Sequence, residues 1–216
     1  MPSGRIAKVG MLGGTFDPIH NGHLAMARVA AKMCGLQRIY FVPAARPWHR
    51  QHPPVAGYAD RYAMVALALL THPRWLPLAI PEQGNRPTYT LDQTAWMRAH
   101  GLGERITLIL GADSFATLPT WYRWRKLLTS CDWLILSRGR ERWDALRTLI
   151  PSACVEQELP EGLRLTGGGH LRWVGNFAQP ASASRTRFAL GLGEGVPVPA
   201  QVVRFAQRGG LYPFHA

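Results

Sequence analysis

The sequence predicts an α/β fold, a doubly wound and mostly parallel sheet with helices on both faces. Short runs of β-branched or aromatic residues alternate with segments of helical spacing, and a glycine-rich turn joins the first run to the first helical segment. This alternation is typical of strands connected by helices that cross a parallel sheet. The chain has 216 residues, of which 47% are hydrophobic. We expect one domain, 1–216, in which residues from about 180 onward form a small helical C-terminal part.

The elements follow from the residue patterns in chain order. The apolar run 6–12 predicts the first strand, and small and apolar residues at helical spacing predict a helix over 22–34 that Gly35 ends. The same criteria predict strands over 38–42, 75–80, 105–110 and 133–137, and helices over 58–70, 90–99 and 142–149. The proline-rich segment 43–57 predicts a loop that moves over the site.

After residue 151 the alternation of strand and helix patterns becomes less regular. Three glycines at 167–169 predict a hairpin turn between strands at 163–165 and 171–174, and two short helices are predicted over 184–190 and 199–208. Parallel sheets bind their ligands at the carboxyl ends of the strands. Most polar motifs of this chain follow a predicted strand, so we expect the site at that edge.

Composition restricts the partners. The formal net charge is +12, and every basic residue except Lys8, Lys32 and Lys126 is arginine, which suits bidentate contacts with phosphate or carboxylate. Nucleic acid, an anionic membrane and small anionic substrates are all compatible with this charge. Three scattered cysteines indicate a reducing compartment, and no apolar run is long enough for a membrane span or a signal segment. We therefore expect a cytoplasmic protein.

Residues 12–24, Leu-Gly-Gly-Thr-Phe-Asp-Pro-Ile-His-Asn-Gly-His-Leu, are the most informative stretch. A glycine-rich turn between a strand and a helix holds phosphates, because its backbone N–H groups point outward and the helix dipole favours negative charge. His20 and His23 add two imidazoles to this turn. Neither the Walker pattern nor Gly-x-Gly-x-x-Gly occurs here, which excludes those two nucleotide sites. The stretch predicts a polyphosphate-binding site.

Two other interpretations fit the same residues. A tight structural turn with incidental histidines needs only the two glycines and the proline. A metal site could use Asp17, His20 and His23 as ligands. Asp17 lies next to Pro18, however, and the glycines would then have no role. We therefore expect phosphate binding and no metal ion held by the protein.

The turn resembles the signature of nucleotidyltransferases that carry a His-x-Gly-His motif, such as nicotinate-nucleotide, phosphopantetheine and cytidylyl transferases. The chain most resembles bacterial nicotinate-nucleotide adenylyltransferases, and the resemblance covers nearly its whole length. The other matching segments are Pro-Trp-His-Arg at 47–50, Arg-Tyr-Ala-Met at 61–64, Pro-Thr-Tyr-Thr-Leu-Asp at 87–92, Leu-Gly-Ala-Asp at 110–113, the tryptophan-rich 118–124 and Ala-Ser-Ala-Ser-Arg-Thr-Arg at 181–187. Each is weak alone, and together they are specific.

The chain departs from the family pattern at four positions. Arg50 stands where the family has lysine, which keeps the charge but replaces a compact ammonium with a planar fork. Ala181 and Thr186 replace two isoleucines around the serines, and Ala183 lacks a hydroxyl of the pattern. These changes concern the affinity for ATP rather than the activity.

The resemblance implies a Rossmann-like nucleotidyltransferase that joins ATP and nicotinate mononucleotide, giving nicotinate adenine dinucleotide and pyrophosphate for NAD biosynthesis. It implies catalytic roles for His20, His23 and Arg187. The residues expected at ATP are Gly13, Gly14, Thr15, Phe16, Gly111, Asp113, Ser182 and Ser184. Mg²⁺ is expected to be bound mainly through the ATP phosphates, because no pair of carboxylates marks a site for it.

The acceptor nucleotide carries a pyridine carboxylate and a phosphate. The resemblance implies that hydroxyl and backbone groups of Thr88, Tyr89 and Thr90 meet the carboxylate, while the Trp121 ring stacks on the pyridine. The remaining residues expected on this side are Asp17, His49, Arg50 and Arg138, of which the last three are candidates for the phosphate.

Several of these residues also have structural interpretations. Trp121 and Trp124 are three apart, a spacing that is common in cores. Asp113 could cap the next helix, the two serines of 181–187 could do the same, and Arg138 could be solvated surface. The alternative functions are adenylyl transfer to nicotinamide mononucleotide or phosphopantetheine, and a basic nucleic-acid-binding protein. Polynucleotides and membranes are not expected as partners, and the sequence does not predict an oligomeric state.

Overall fold

The computed structural model describes residues 8–46, 52–82, 89–139, 141–177, 183–192 and 197–213. The strands in these ranges are β1 (Val9–Gly14), β2 (Arg38–Pro43), β3 (Trp75–Pro77), β4 (Ile106–Gly111), β5 (Asp132–Leu136), β6 (Val155–Leu159), β7 (Gly162–Leu165) and β8 (Gly169–Val174). The α-helices are α1 (Asn21–Cys34), α2 (Tyr58–Leu69), α3 (Thr90–Ala99), α4 (Ala112–Ala116), α5 (Trp124–Ser130), α6 (Trp143–Arg147), α7 (Ala183–Leu192) and α8 (Ala200–Arg208).

The strands form one sheet in the order β3-β2-β1-β4-β5-β8-β7-β6. Strands from β3 to β8 in this order pair in parallel, whereas β7 and β6 are antiparallel additions at one edge. The chain runs outward from β1 to β3 and then returns to β4 on the other side of β1. The order of the strands therefore reverses between β1 and β4, where an open α/β sheet binds its ligand.

Two hydrophobic cores cover the two faces of the sheet. Along β2, Ile39 and Phe41 belong to the core that holds α1, α2 and α8, while Tyr40 and Val42 belong to the core that holds α3 to α6. Successive side chains of a strand point to opposite faces, so a strand covered on both sides is apolar throughout. Leu190 of α7 and Tyr212 lie in the first core as well.

The expected fold class is confirmed, and the predicted helix over 90–99 has the observed bounds. Among the described strands and α-helices, three were not predicted. Two are the short helices α4 and α5, and the third is the edge strand β6, whose central residues are polar and exposed. β3 is also shorter than predicted, because it ends at Pro77. No helix in the described part of the chain is long and apolar enough to cross a membrane.

Candidate active site

The two histidines of the glycine-rich turn lie at the start of α1. His20 occupies the N-cap position in extended conformation, and its ring stacks on that of His23 with centroids 3.8 Å apart. The backbone N–H of His20 donates to Nδ1 of His23 at 3.2 Å. Because Nδ1 accepts this bond, the neutral His23 ring carries its proton on Nε2. The turn thus fixes both the orientation and the tautomer of His23.

His20 is 3% exposed, and this burial has an electrostatic consequence. Burial, assisted by the charge of Arg138, lowers the pKa of His20 from 6.5 to about 4. The ring is therefore neutral near pH 7 and donates one N–H. Its Nδ1 is buried and has no hydrogen-bond partner among the described residues.

Phe16 supports the histidine pair from inside the protein. Its ring is 1% exposed and meets that of His23 edge-on, with centroids 4.9 Å apart, and it also packs against Phe41. Phe16 has a φ of 50°, which costs a non-glycine residue about 1–2 kcal/mol. The burial of its ring offsets this cost, so packing holds the turn in a conformation that its own sequence does not favour.

The Asp17 carboxylate is turned into the protein. Its oxygens accept hydrogen bonds from the backbone N–H groups of Val55 and Ala56, at 2.9 and 3.0 Å, and from the hydroxyl of Tyr212 at 2.9 Å. The described residues contain no group of three His, Cys, Asp or Glu side chains that could hold a metal ion. Both Asp17 oxygens are engaged with groups of the chain, and the expected contact of Asp17 with the acceptor stays a prediction.

Arg187 reaches the same turn from α7. Its Nη1 donates to the backbone carbonyl of Asp17 at 2.7 Å and lies 3.6 Å from Oδ2 of that residue. The three residues expected to be catalytic, His20, His23 and Arg187, therefore cluster around one turn although α7 is far away in the sequence. Ser184 lies in α7, but its side chain is outside the described residues, as is the whole of Ser182.

An open cleft of about 560 Å³ lies beside the turn, at the carboxyl ends of β1 and β4. Gly13 and Gly14 end β1 and form part of its wall. The cleft also contains expected residues of α3, α4 and the segment before α5, namely Tyr89, Thr90, Asp113 and Trp121. Thr15 and Phe16 are buried in the turn instead. The three residues expected to be catalytic, His20, His23 and Arg187, are not among the residues that line the cleft, so the cleft gathers only part of the expected site.

Aromatic rings form one wall of this cleft. The ring of Tyr89 stacks on that of Tyr122 with centroids 4.5 Å apart. The indole Nε1 of Trp121 donates to the hydroxyl of Thr117 at 3.0 Å, which fixes the plane of the ring. Trp124 is not among the residues that line the cleft; it packs against the second core. Trp121 packs against the same core, so the two tryptophans differ in that Trp121 also lines the cleft.

Asp113 faces the cleft from the first turn of α4. The N-cap of this helix is Gly111, and no side chain caps it. A Cβ at Gly111 would collide with Oδ1 of Asp113, so the glycine leaves room for the carboxylate. The capping interpretation of Asp113 is therefore wrong. A carboxylate in the first turn still interacts favourably with the helix dipole.

The other expected residues lie outside this assembly. His49, Arg50 and Thr88 fall outside the described residues. Arg138 is exposed and its backbone forms an isolated bridge with Asn176, but its charge acts on His20. Its position fits both interpretations, surface and ligand, so its role stays a prediction.

Sequence reasoning missed two arginines near the site. Arg46 lines the cleft, with a side chain that is 62% exposed and lies 3.3 Å from Glu82. Its position just after β2, at the carboxyl edge of the sheet, is a signal that could have identified it. Arg61 was noted only as part of a helix motif, and its burial in α2 is a tertiary property.

Arg61 joins three loops under the turn. Its guanidinium is 1% exposed and donates to backbone carbonyls, with the shortest bonds at 2.7 Å to Thr15 and 2.8 Å to Ala44. Longer bonds of 3.2 and 3.4 Å reach the carbonyls of Ala56 and Ala45. A planar fork with five donors is suited to this task. The loops after β1 and β2 and the start of α2 are therefore held by one side chain.

Comparisons with known proteins agree with this arrangement. A family model described as cytidylyltransferase-like matches residues 11–187. A probable nicotinate-nucleotide adenylyltransferase of Pseudomonas fluorescens is 38% identical over 95% of this chain and 97% of its own length, and one from Pseudomonas syringae pv. tomato is 37% identical over 95% and 93%. A Plasmodium falciparum nicotinic acid mononucleotide adenylyltransferase complexed with NaAD has the same fold, with a TM-score of 0.71, 16% identity and coverage of 97% and 98%. The chain therefore belongs to the cytidylyltransferase-like family and, within it, to the nicotinate-nucleotide adenylyltransferases.

Proposed function

We propose that this chain transfers the adenylyl group of ATP to nicotinate mononucleotide, giving nicotinate adenine dinucleotide and pyrophosphate. The observation that carries the proposal is the shared turn: Gly13 and Gly14 line the cleft, and the same turn leads to the stacked pair His20 and His23. The histidine turn, proposed to bind the phosphates, therefore adjoins the cleft, proposed to bind the acceptor. A cleft of about 560 Å³ is also within the range of small-molecule sites.

The reaction is a single displacement at the α-phosphorus of ATP. A phosphate oxygen of the acceptor forms a bond to this phosphorus, the bond from it to the bridging oxygen breaks, and pyrophosphate leaves with that oxygen. The protein has to align the two phosphates and to neutralise the charge on their oxygens. No covalent intermediate with the protein is required.

His20 and His23 supply fixed N–H donors to the phosphate oxygens. His20 is neutral near pH 7 because of its lowered pKa, so it stabilises charge by donating a hydrogen bond rather than as a cation. Nε2–H of His23 follows from the bond that its Nδ1 accepts. One such preorganised donor in a dry site contributes about 3–4 kcal/mol, or a factor of about 10² to 10³ in rate.

Arg187 holds the β- and γ-phosphates and stabilises the leaving pyrophosphate. Its anchorage on Asp17 keeps the guanidinium at the turn, a quarter exposed, where a bidentate contact with phosphate can form. Asp113 and Gly111 adjoin the same nucleotide at the end of β4. Ser182 and Ser184 complete this side in the proposal.

The acceptor lies in the aromatic part of the cleft. The pyridine ring stacks on Trp121, and its carboxylate meets the Thr90 hydroxyl and the backbone at the start of α3. Thr88, His49, Arg50 and Arg138 are proposed for the same nucleotide on the resemblance alone. Arg46 at the mouth of the cleft adds a positive charge for its anionic groups.

Mg²⁺ belongs to this proposal as part of the ATP complex. Among the described residues, no cluster of carboxylates fits a cation held by the protein, and Asp17 is engaged with chain groups. Phosphate oxygens and water are the oxygen donors that Mg²⁺ prefers. The ion screens the charge of the triphosphate and enters with it.

Pyrophosphate release in the presence of ATP and Mg²⁺ tests the proposal. Nicotinate mononucleotide, nicotinamide mononucleotide and phosphopantetheine are supplied separately. We expect strong release with the nicotinate nucleotide and at least about tenfold less with the amide, because a lost charge-assisted contact is worth about 1.5–3 kcal/mol. Release with phosphopantetheine alone would contradict the acceptor assignment. Absence of release with all three would contradict the activity.

A further inference from the structure

We propose that Tyr212 is a positioning residue for Arg187 and acts through the carboxylate of Asp17. The inference deepens the proposed function, since it rests on the role given there to Arg187. Tyr212 lies beyond α8, in a segment that the sequence patterns left without any part in the site.

Tyr212 is buried beneath the phosphate-binding turn. It is 4% exposed, and its hydroxyl donates to Oδ1 of Asp17 at 2.9 Å across a separation of 195 residues. Its φ of 61° is uncommon for a residue with a side chain, so the segment after α8 adopts a costly conformation to present this ring. The hydroxyl also lies 3.9 Å from Sδ of Met64, inside the first core.

The two oxygens of Asp17 have different partners. Oδ1 accepts bonds from the N–H of Ala56 and from Tyr212, whereas Oδ2 accepts the N–H of Val55 and lies 3.6 Å from Nη1 of Arg187. By holding Oδ1, the Tyr212 hydroxyl sets the plane of the carboxylate and aims Oδ2 at the guanidinium. Arg187 also donates to the backbone carbonyl of Asp17, so the carbonyl and the oriented carboxylate together set the position of its guanidinium.

Electrostatics keeps the tyrosine in its donating form. Burial and the adjacent Asp17 charge raise the pKa of Tyr212 well above its ordinary value, while the charges of Arg187 and Arg61 oppose the rise. The hydroxyl therefore keeps its proton near pH 7. Tyr212, Asp17 and Arg187 form one network, in which a neutral donor orients a carboxylate beside a cation.

A structural role and a positioning role for Tyr212 differ in one measurable respect. If Tyr212 only stabilises the fold, replacing its hydroxyl has the same effect whether or not Arg187 is present. If it acts through Arg187, the effect disappears once that guanidinium is removed. A double-mutant cycle separates the two.

The cycle uses the wild type, Tyr212→Phe, Arg187→Ala and the double variant of the full chain. Calorimetry measures the Kd of a non-hydrolysable ATP analogue, and kcat is measured with nicotinate mononucleotide. We expect Tyr212→Phe to weaken analogue binding and to lower kcat about five- to tenfold in the wild-type background, but less than about twofold beside Arg187→Ala. Phenylalanine keeps the ring, and Tyr62→Phe is the matched control, expected to behave as wild type.

Equal losses in the two backgrounds would overturn the proposal, and so would a Tyr212→Phe variant whose analogue affinity equals that of the wild type. The binding cycle needs no turnover. If the wild type proves inactive with every acceptor, the proposed function fails while the analogue Kd values still decide the role of Tyr212. A melting temperature for each variant shows that the proteins compared are folded.

Discussion

The two sides of the site are built differently. The histidine turn is buried and tied to distant parts of the chain by Asp17, Arg61, Arg187 and Tyr212. The aromatic side of the cleft is half-exposed, and its main internal contacts are the Tyr89–Tyr122 stack and the bond from Trp121 to Thr117. One side is fixed by charge and hydrogen bonds, the other by ring contacts near the surface.

The difference follows from what each side binds in the proposed reaction. Charge that develops on phosphoryl oxygens is stabilised only by donors already in place, because reorganising them would consume the gain. A planar ring with a carboxylate needs a stacking surface and a few donors, which a half-exposed wall can supply. In the proposed reaction the turn therefore stabilises the phosphoryl transfer, and the wall selects the acceptor.

The largest effect is expected at the arginine under the turn. Arg61→Met leaves the carbonyls of three loops without their buried donor, which costs about 3–5 kcal/mol of unfolding free energy. Urea unfolding measures it, with Arg125→Met on the exposed face of α5 as the control. If Arg61→Met lowers the unfolding free energy by less than about 1 kcal/mol, Arg61 does not hold the loops under the histidine turn rigidly.

The histidine pair is expected to control turnover. His20→Ala and His23→Ala should each lower kcat about 10²- to 10³-fold, because each removes one fixed donor. Steady-state pyrophosphate release and a melting curve measure rate and folding on the same samples. His100→Ala, at an exposed residue at the end of α3, should retain wild-type turnover. Near-normal rates in both site variants would contradict the mechanism.

Acid should weaken the buried side. The pKa of His20 is about 4 in the folded protein and 6.5 as its ordinary value, so between these limits the unfolded chain binds a proton that the folded chain does not. The free energy of unfolding therefore does not depend on this group above pH 6.5, and it falls by about 3 kcal/mol as the pH decreases towards 4. Urea unfolding at pH 5 and 7.5 compares wild type with His20→Gln, which should lose less on acidification. Equal losses of unfolding free energy in the two proteins would contradict the lowered pKa of His20.

A substitution in the aromatic wall of the cleft should change the KM for the acceptor nucleotide. Trp121→Ala is expected to raise the KM for nicotinate mononucleotide about two- to tenfold, since a ring stack contributes about 0.5–1.5 kcal/mol, and to change the KM for ATP less than about twofold. Trp124→Ala is the matched control, because Trp124 packs on the same core as Trp121 but does not line the cleft. Equal changes for both substrates would mean that Trp121 does not distinguish the two sides.

The smallest effect is expected at Thr117. Thr117→Val keeps the shape and removes the acceptor for the indole N–H, so the Trp121 ring loses one constraint on its plane. A net hydrogen bond of about 0.5–1.5 kcal/mol predicts a rise of about two- to tenfold in the acceptor KM, and less where water replaces the lost partner. Thr120→Val tests a neighbouring cleft hydroxyl that does not contact the indole. Identical KM values for wild type and Thr117→Val would show that packing alone orients the ring.

Much of the fold and part of the site followed from the sequence. Apolar runs that alternate with helical segments predicted the parallel sheet, because crossover helices cover both faces of such strands. The turn at 12–24 predicted a phosphate site from glycines, a helix start and two imidazoles. Short elements escaped prediction, since α4 and α5 span five and seven residues and give little periodic signal. The acceptor-side residues came from resemblance rather than from patterns.

The sequence by itself determined the chemistry of the turn, because residues adjacent along the chain remain adjacent when strand, turn and helix form. Only the tertiary structure decided that Arg61, Arg187 and Tyr212 meet under that turn, and that Asp17 faces the interior. Their contacts join segments up to 195 residues apart. Which buried groups pair depends on how α2, α7 and the segment after α8 pack against the sheet, and no local pattern encodes that packing.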